Sequence, residues 1–211
     1  KHTVDDVHTD PFSKRLRDGI ETSSVAVTDE EIRNARHAYY ANTSYFDSKI
    51  GELIQTLEDT DMLDNTIVIV TSDHGDMLGE RGLWYKMNFF EHSARVPLVM
   101  AGPGVSQGTA QNACSLVDLL PTFIDIAGGS PEFLGEPVDG RSLMSLARGD
   151  DDPMDEAIGE YCAEMTPYPV IMIRRGPLKY IHCDADPDQL YDVVADPLET
   201  INLATDPAYV E

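Results

Sequence analysis

The 211-residue sequence is long enough for one domain with a sizeable core, or for one layered unit with a small one appended. Its formal charge of −23 would repel a nucleic-acid backbone, so nucleic acid is excluded as an expected partner. No apolar run approaches the roughly 18 residues of a membrane span, and the N-terminus lacks a signal-peptide layout, so we expect no membrane association and a cytoplasmic rather than a secreted location.

The charge composition and the spacing of the cysteines narrow the class of protein further. An acidic, lysine-poor composition suits a salt-adapted protein, with an ordinary acidic cytosolic protein as the alternative. The 3 cysteines are widely spaced and form no Cys-x-x-Cys pair. They therefore predict buried free thiols rather than a disulfide framework or a zinc cluster. An oligomer is left open.

The first predicted element is a long helix. Residues 1–27 have no clear period and are interpreted as a loop. Thr28 and Glu31 have the spacing of a capping box, and apolar residues then recur at helical spacing over 32–57. The pattern predicts a helix whose apolar stripe packs on a sheet.

Two strands and a second helix are predicted next. A continuous β-branched run predicts a buried strand at 66–71, and a second strand is predicted at 95–101. A helix is predicted over 117–127, ended by a pair of glycines. This order predicts an α/β domain over residues 1–150, with a mixed or mostly parallel sheet and flanking helices.

The remainder, residues 151–211, is predicted to be a small subdomain. A segment rich in Gly, Pro and Asp over 135–153 marks the connection. Beyond it, short strands are predicted at 157–163, 170–174, 178–182 and 189–192. Their close spacing favours a four-stranded antiparallel sheet.

Candidate metal ligands follow the first predicted strand. Asp73 and His74 come just past it, where ligands collect in open α/β sheets. A carboxylate and an imidazole would suit Ca²⁺, Mg²⁺ or Mn²⁺ if most other ligands are carboxylates, and Gly75 gives the backbone freedom to aim both at one ion. Alternatively, Asp73 is a turn residue and His74 a partly buried core histidine.

A candidate anion contact follows in the next loop. Lys86 carries a compact charge able to neutralise a phosphoryl or sulfuryl oxygen, although alone it would be read as a solvated lysine. Trp84 and neighbouring aromatics either anchor the loop or line a pocket for a quaternary ammonium. His92, beside Glu91, is either a catalytic acid or an exposed helix-end residue.

Several segments resemble the sulfatase family of the alkaline phosphatase superfamily, closest to its choline sulfatases. The main ones are SDHGDMLGERGLWYK at 72–86 and FEHSARVPL at 90–98. Similar segments also lie at 117–122, 140–143, 190–192 and 196–203. The resemblance covers nearly the whole chain from Thr28 onward.

The resemblance implies an alkaline phosphatase-like fold and a sulfuric ester hydrolase. It implies a divalent metal, usually Ca²⁺, held by Asp73 and His74 together with two acidic residues from the N-terminal part of the parent. Lys86 matches the sulfate-contacting lysine of the family, while Trp84 and Glu160 are substrate-binding candidates. Choline sulfate is the favoured small-molecule partner, because an acidic protein repels anionic esters more than a zwitterion.

The sequence also departs from the family pattern. The formylglycine nucleophile of the family arises within Cys/Ser-x-Pro/Ser-x-Arg, which no segment here fits, so we expect it only in a missing N-terminal half. Asp5 and Asp6 could stand for the paired N-terminal aspartates of the family, but no apolar strand precedes them. Members commonly have Gly at the position of His92, so its role does not transfer.

Three functional interpretations follow. The chain looks like the C-terminal half of a sulfatase. The first alternative is a phosphonate or phosphate ester hydrolase of the same superfamily. The second is a non-catalytic truncated module, inactive as an isolated chain because the formylglycine motif is absent.

Overall fold

A computed structural model describes residues 10–209, so Asp5 and Asp6 lie outside the described part of the chain. The α-helices there are α1 Pro11–Gly19, α2 Asp29–Asp59, α3 Glu91–Ala94, α4 Leu119–Ile126 and α5 Met144–Arg148. The strands are β1 Val68–Thr71, β2 Met77–Leu78, β3 Trp84–Tyr85, β4 Leu98–Ala101, β5 Glu156–Tyr161, β6 Val170–Arg175, β7 Leu178–His182 and β8 Gln189–Asp192.

The strands form three sheets within residues 10–209. β1 pairs with β4, β2 with β3, and β5 to β8 follow one another as a meander. The α/β class and the small antiparallel sheet near the C-terminus are confirmed. Every pairing among the described strands is antiparallel. The connection from β1 to β4 carries the β2–β3 hairpin and the short α3, not the crossover helix that parallel strands need.

The loop predicted over 1–27 is wrong where α1 forms. Asp10 is the N-cap of α1, and its Oδ1 accepts a hydrogen bond from the Ser13 amide at 2.8 Å. The helix buries Phe12 and Leu16, which are 5% and 1% exposed. Two buried side chains are too few to produce a clear helical period in a charged segment.

The capping box at the start of α2 is confirmed. The Thr28 hydroxyl accepts a hydrogen bond from the Glu31 amide at 3.3 Å, and Glu31 Oε2 accepts one from the Thr28 amide at 2.7 Å. Two of the backbone donors left free at a helix start are thereby satisfied. The carboxylate is stabilised in its charged form, which lowers the pKa of Glu31, first through the Thr28 amide.

The apolar stripe of α2 is not buried, contrary to the sequence expectation. No residue of the helix is buried along its length, and Phe46 and Leu53 are each 54% exposed. A groove of 820 Å³ lies between α2 and the β1–β4 pair, lined by Ile50, Ile54 and Val99 among others. The helical period therefore predicted the stripe correctly, while its packing on a sheet is incomplete.

One apolar core joins the first part of the chain to the meander. It is made of Phe12, Leu16, Met77, Leu83, Phe90, Val170, Ile181, Cys183, Tyr191 and Val193. Its members come from α1, from the segment around the β2–β3 hairpin, and from the meander. The core therefore crosses the predicted boundary at residue 150, and it holds the hairpin loop against the meander.

Several local expectations are refined. The strand predicted at 95–101 begins at Leu98, immediately after Pro97, which has no amide to donate to a ladder. Of the thiols, Cys183 is buried and Cys114 half-buried, whereas Cys162 is exposed because it lies just past the end of β5. Among the helices of residues 10–209, none has the length and apolarity needed to span a membrane.

Candidate active site

Asp73 and His74 lie side by side just beyond the end of β1. Asp73 Oδ2 is 3.3 Å from His74 Nε2, and Asp73 Oδ1 accepts a hydrogen bond from the His74 amide at 3.0 Å. That amide bond is the first cause that lowers the pKa of Asp73. The Asp73 side chain is 82% exposed and the His74 side chain 31% exposed. Both candidate metal-ligating side chains are therefore accessible from solvent.

Gly75 permits a close approach to α3. Its amide donates to the Ser93 carbonyl at 2.8 Å, and a Cβ built on Gly75 would lie 2.1 Å from the His92 carbonyl oxygen. No side chain fits at that distance without a backbone shift. The sequence predicted that this glycine supplies a turn, whereas the structure assigns it to contact between the strand exit and α3.

The imidazole orientation of His74 is fixed by its neighbours. His74 Nδ1 lies 2.8 Å from the Gly75 carbonyl oxygen, which can only accept, so Nδ1 carries the proton. Nε2 therefore presents its lone pair to the site. Donation of the other ring N–H to a backbone carbonyl is typical of metal-ligating histidines.

Lys86 is brought to the same place by the segment after β3. Its Nζ lies 2.7 Å from His74 Nε2, a donor facing the free lone pair. The residues on either side, Tyr85 and Met87, have left-handed φ angles of 65° and 68°. Asp73, His74 and Lys86 are thus assembled into one polar cluster, although they come from two different segments.

The donor set suits a divalent cation in part. A carboxylate oxygen and an imidazole lone pair converge, which is the mixed donor chemistry expected of Ca²⁺, Mg²⁺ or Mn²⁺ ligands. Within residues 10–209, no group of three or more His, Cys, Asp or Glu side chains is arranged to hold a metal. Asp73 and His74 therefore fit as half of a metal site.

The other predicted site residues are less closely associated with this cluster. Trp84 is half-buried in β3, where it pairs with Leu78. The His92 side chain is exposed, and it is the His92 carbonyl that faces Gly75. Glu160 is exposed on β5 and alternates with Gly159, which faces Phe89. Glu160 therefore lies on the opposite face of the meander, and the roles of these residues stay predictions.

Sequence reasoning missed Glu164, in the turn after β5. Its carboxylate accepts a hydrogen bond from the Tyr161 hydroxyl at 3.0 Å. The pKa of Glu164 is lowered first by its own backbone amide, then by Tyr161, with a smaller attraction from the Lys86 ammonium. An acidic residue in the turn that follows the strand bearing Glu160 was the available signal.

Comparison with known proteins identifies the fold. The chain superposes on a phosphonate monoester hydrolase of Agrobacterium radiobacter with a TM-score of 0.77 and 29% identity, covering 86% of this chain and 39% of that one. It superposes on a 2-O GAG sulfatase with a TM-score of 0.81 and 26% identity, covering 99% of this chain and 46% of that one. The chain is thus an alkaline phosphatase-like α/β protein.

Sequence comparison gives the family. The sulfatase profile matches residues 4–130, and the profile of the C-terminal region of N-sulphoglucosamine sulphohydrolase matches 79–211. The chain belongs to the sulfatase family, as its motifs predicted. It is 49% identical over 198 residues to a choline-sulfatase of Rhizobium meliloti, covering 94% of this chain and 38% of that protein.

Proposed function

We propose that the protein carrying this chain hydrolyses sulfuric esters, and that choline sulfate is its substrate. The observation that carries the proposal is the convergence of Asp73, His74 and Lys86, with the Lys86 ammonium 2.7 Å from His74 Nε2. Membership of the sulfatase family supports the reaction class. The similarity to the choline-sulfatase supports the choice of ester.

Asp73 and His74 would supply two ligands to a divalent metal, Ca²⁺ by preference, with Mg²⁺ or Mn²⁺ as alternatives. When bound, such an ion neutralises charge on the sulfuryl oxygens. Its further ligands and the formylglycine nucleophile of the family would come from outside residues 10–209. The Gly75 carbonyl keeps the proton on His74 Nδ1, which leaves Nε2 ready to bind.

In this proposal Lys86 would contact the sulfate group of the substrate. His74 Nε2 has one lone pair, so it accepts a hydrogen bond from Lys86 or binds a metal, but not both. With His74 Nε2 bound to such an ion, the Lys86 ammonium would be free to donate to a sulfate oxygen. An ammonium placed where negative charge grows stabilises the transition state.

The electrostatic field of the protein favours choline sulfate over anionic esters. With a formal charge of −23, the surface repels an anionic ester at a distance but exerts little net force on a zwitterion. The Glu164 carboxylate, within electrostatic reach of Lys86, and the half-buried Trp84 both suit a quaternary ammonium. Glu160, on the opposite face of the meander, stays a prediction of the sequence.

Replacing Lys86 tests the proposal. In the complete protein, Lys86→Ala should lower kcat/KM for choline sulfate by about 10²- to 10³-fold, the usual effect of removing one such donor. Lys49→Ala is the matched control, because Lys49 makes an exposed ion pair with Glu52 and a cation–π contact with Tyr45, both within α2, and its loss should leave turnover unchanged. Equal turnover of the Lys86 variant and the wild-type protein would remove this residue from the mechanism.

The first alternative is hydrolysis of phosphonate or phosphate esters, favoured by the structural likeness to a phosphonate monoester hydrolase. A divalent metal and a lysine can neutralise charge on the oxygens of a phosphoryl group as well as on those of a sulfuryl group. Paired sulfate, phosphate and phosphonate esters with one leaving group separate the two cases. Sulfate should give the highest kcat/KM, and a preference for phosphonate would establish the alternative.

The second alternative concerns the 211 residues alone. They contain no Cys/Ser-x-Pro/Ser-x-Arg segment, so the isolated chain lacks the residue from which the family makes its nucleophile. An isolated chain that hydrolysed choline sulfate would contradict this interpretation. A cytoplasmic location stays a prediction of the sequence, and the oligomeric state stays open.

A further inference from the structure

Lys179 is buried at the centre of a polar cluster outside the candidate site. It lies on β7 and is 1% exposed. Its Nζ is 2.8 Å from the Phe89 carbonyl oxygen, 2.8 Å from Glu199 Oε1 and 2.5 Å from Glu91 Oε1. The ammonium therefore donates hydrogen bonds to Phe89 and Glu199 and forms an ion pair with Glu91. The cluster is therefore a buried part of the fold and not a surface ion pair.

Glu199 connects this cluster to the start of α3. It is 1% exposed, and its Oε2 accepts a hydrogen bond from the Glu91 amide at 2.7 Å. Burial raises the pKa of Glu199, and the Lys179 ammonium opposes that shift. The backbone carbonyl of Glu199 also accepts from Arg81 at 2.7 Å. Lys179, Glu199 and Glu91 together form what we call the clamp.

The clamp is connected to Lys86 through Asn88. The Asn88 side chain is 8% exposed, donates to the Lys86 carbonyl at 3.0 Å and accepts from the Phe90 amide at 3.0 Å. Phe90 lies between the two residues whose backbones the clamp holds. The left-handed residues beside Lys86 add to the argument, because such conformations persist only where the surroundings determine them.

The clamp is also connected to His74 through α3. This helix begins at Glu91, and its Ser93 carbonyl accepts the Gly75 amide at 2.8 Å. Gly75 in turn supplies the carbonyl that faces His74 Nδ1. One buried cluster therefore fixes both of the segments that supply the candidate site.

We propose that Lys179 and Glu199 are positioning residues that hold the backbone segments bearing Lys86 and His74 next to each other. The assignment rests on the proposed function, because it gives these residues a purpose in that site. Neither side chain touches the site directly. Their effect is transmitted through the backbone of Phe89 to Ser93 and through Asn88.

The main test uses the double variant Lys179→Met, Glu199→Leu in the complete protein. Replacing a buried ion pair with apolar residues often preserves stability, so the variant should fold while losing the bonds to Phe89 and Glu91. Amide hydrogen exchange of Phe90 and Gly75 should become at least about tenfold faster, whereas amides of the β6–β7 ladder keep their protection. Lys49→Met is the matched lysine control and should change neither set.

A second variant keeps the test decisive if the double variant does not fold. Glu199→Gln retains volume and an oxygen for the Glu91 amide but removes the charge that faces Lys179. It should show the same local acceleration, together with a fall in kcat that exceeds any change in KM. Unchanged exchange at Phe90 and Gly75, or equal acceleration across the ladder, would overturn the positioning role.

The exchange measurement needs no substrate, so it separates the two proposals. Local acceleration without any sulfatase activity in the wild-type protein would reject the proposed function and leave the clamp as an anchor of this loop. Activity that survives in variants with local acceleration would reject the clamp as a positioning device and leave the proposed function intact.

Discussion

At the residue scale, the candidate site depends on a few backbone contacts as much as on its charged side chains. His74 owes its tautomer to the Gly75 carbonyl, and Gly75 owes its place to the Ser93 carbonyl of α3. The sequence identified Asp73, His74 and Lys86 from their types and spacing. It did not predict that Lys86 donates directly to His74, because four residues on the path between them have left-handed φ angles.

Gly75 should not tolerate a side chain. In Gly75→Ala the new Cβ would meet the His92 carbonyl at 2.1 Å, so the strand exit must move away from α3. We expect a loss of stability of about 1–3 kcal/mol, the usual cost of overpacking, measured by denaturant unfolding, together with reduced turnover.

Gly51→Ala provides the opposite case for the same chemical change. Gly51 lies within α2, and nothing is within 4 Å of a Cβ built there. Alanine should stabilise this helix by up to about 1 kcal/mol. Equal effects at Gly51 and Gly75 would contradict the close approach to α3.

At the element scale, α2 is stabilised mainly by its own local interactions, because none of its residues is buried. Its capping box and its contacts with β2 then matter more than they would in a core helix. Arg36 makes such a contact, donating to the Leu78 carbonyl at 3.1 Å and to Glu80 at 2.6 Å.

Removing the cap of α2 should therefore be measurable. Thr28→Ala should cost about 1 kcal/mol at neutral pH, measured by chemical unfolding followed by circular dichroism. The cost should shrink in acid, because the Thr28 hydroxyl donates to Glu31 Oε2 at 2.8 Å, and this bond to the charged carboxylate is lost as pH falls through the lowered folded-state pKa of Glu31. Thr43→Ala, an exposed site within the same helix, should not destabilise. A cost at Thr28 that is constant down to pH 3 would contradict the bond from the Thr28 hydroxyl to the Glu31 carboxylate.

The elements also show how far the sequence could be interpreted. The spacing of Thr28 and Glu31 is a local signal, and it predicted the start of α2 correctly. The α1 cap at Asp10 is local too, but the helix is short and buries only two apolar side chains, so its period was missed. The bond from Lys179 to Phe89 spans 90 residues, and no local pattern indicates such a pairing.

At the scale of the whole molecule, net charge opposes compactness. A formal charge of −23 on 211 residues creates repulsion that bulk salt weakens, since the screening length falls from about 30 Å at 0.01 M to about 3 Å at 1 M. The buried clamp is protected from this screening, whereas exposed pairs such as Lys49–Glu52 are not.

Added salt should therefore raise the melting temperature of the protein. The rise should be steepest below about 0.1 M NaCl and then flatten, because screening changes fastest there. Differential scanning calorimetry across that range measures it. A rise that stays linear to high concentration would instead indicate salt exclusion from the surface, and no rise would contradict the salt-adapted interpretation.

The left-handed pair around Lys86 has an evolutionary consequence. Tyr85 and Met87 hold conformations that cost L-residues roughly 1–2 kcal/mol each, and glycine would avoid the steric part of that penalty. Glycine would also increase the conformational freedom of the backbone on either side of Lys86. Laboratory evolution toward heat resistance should therefore favour glycine at these two positions. Laboratory evolution toward faster turnover should keep the present residues.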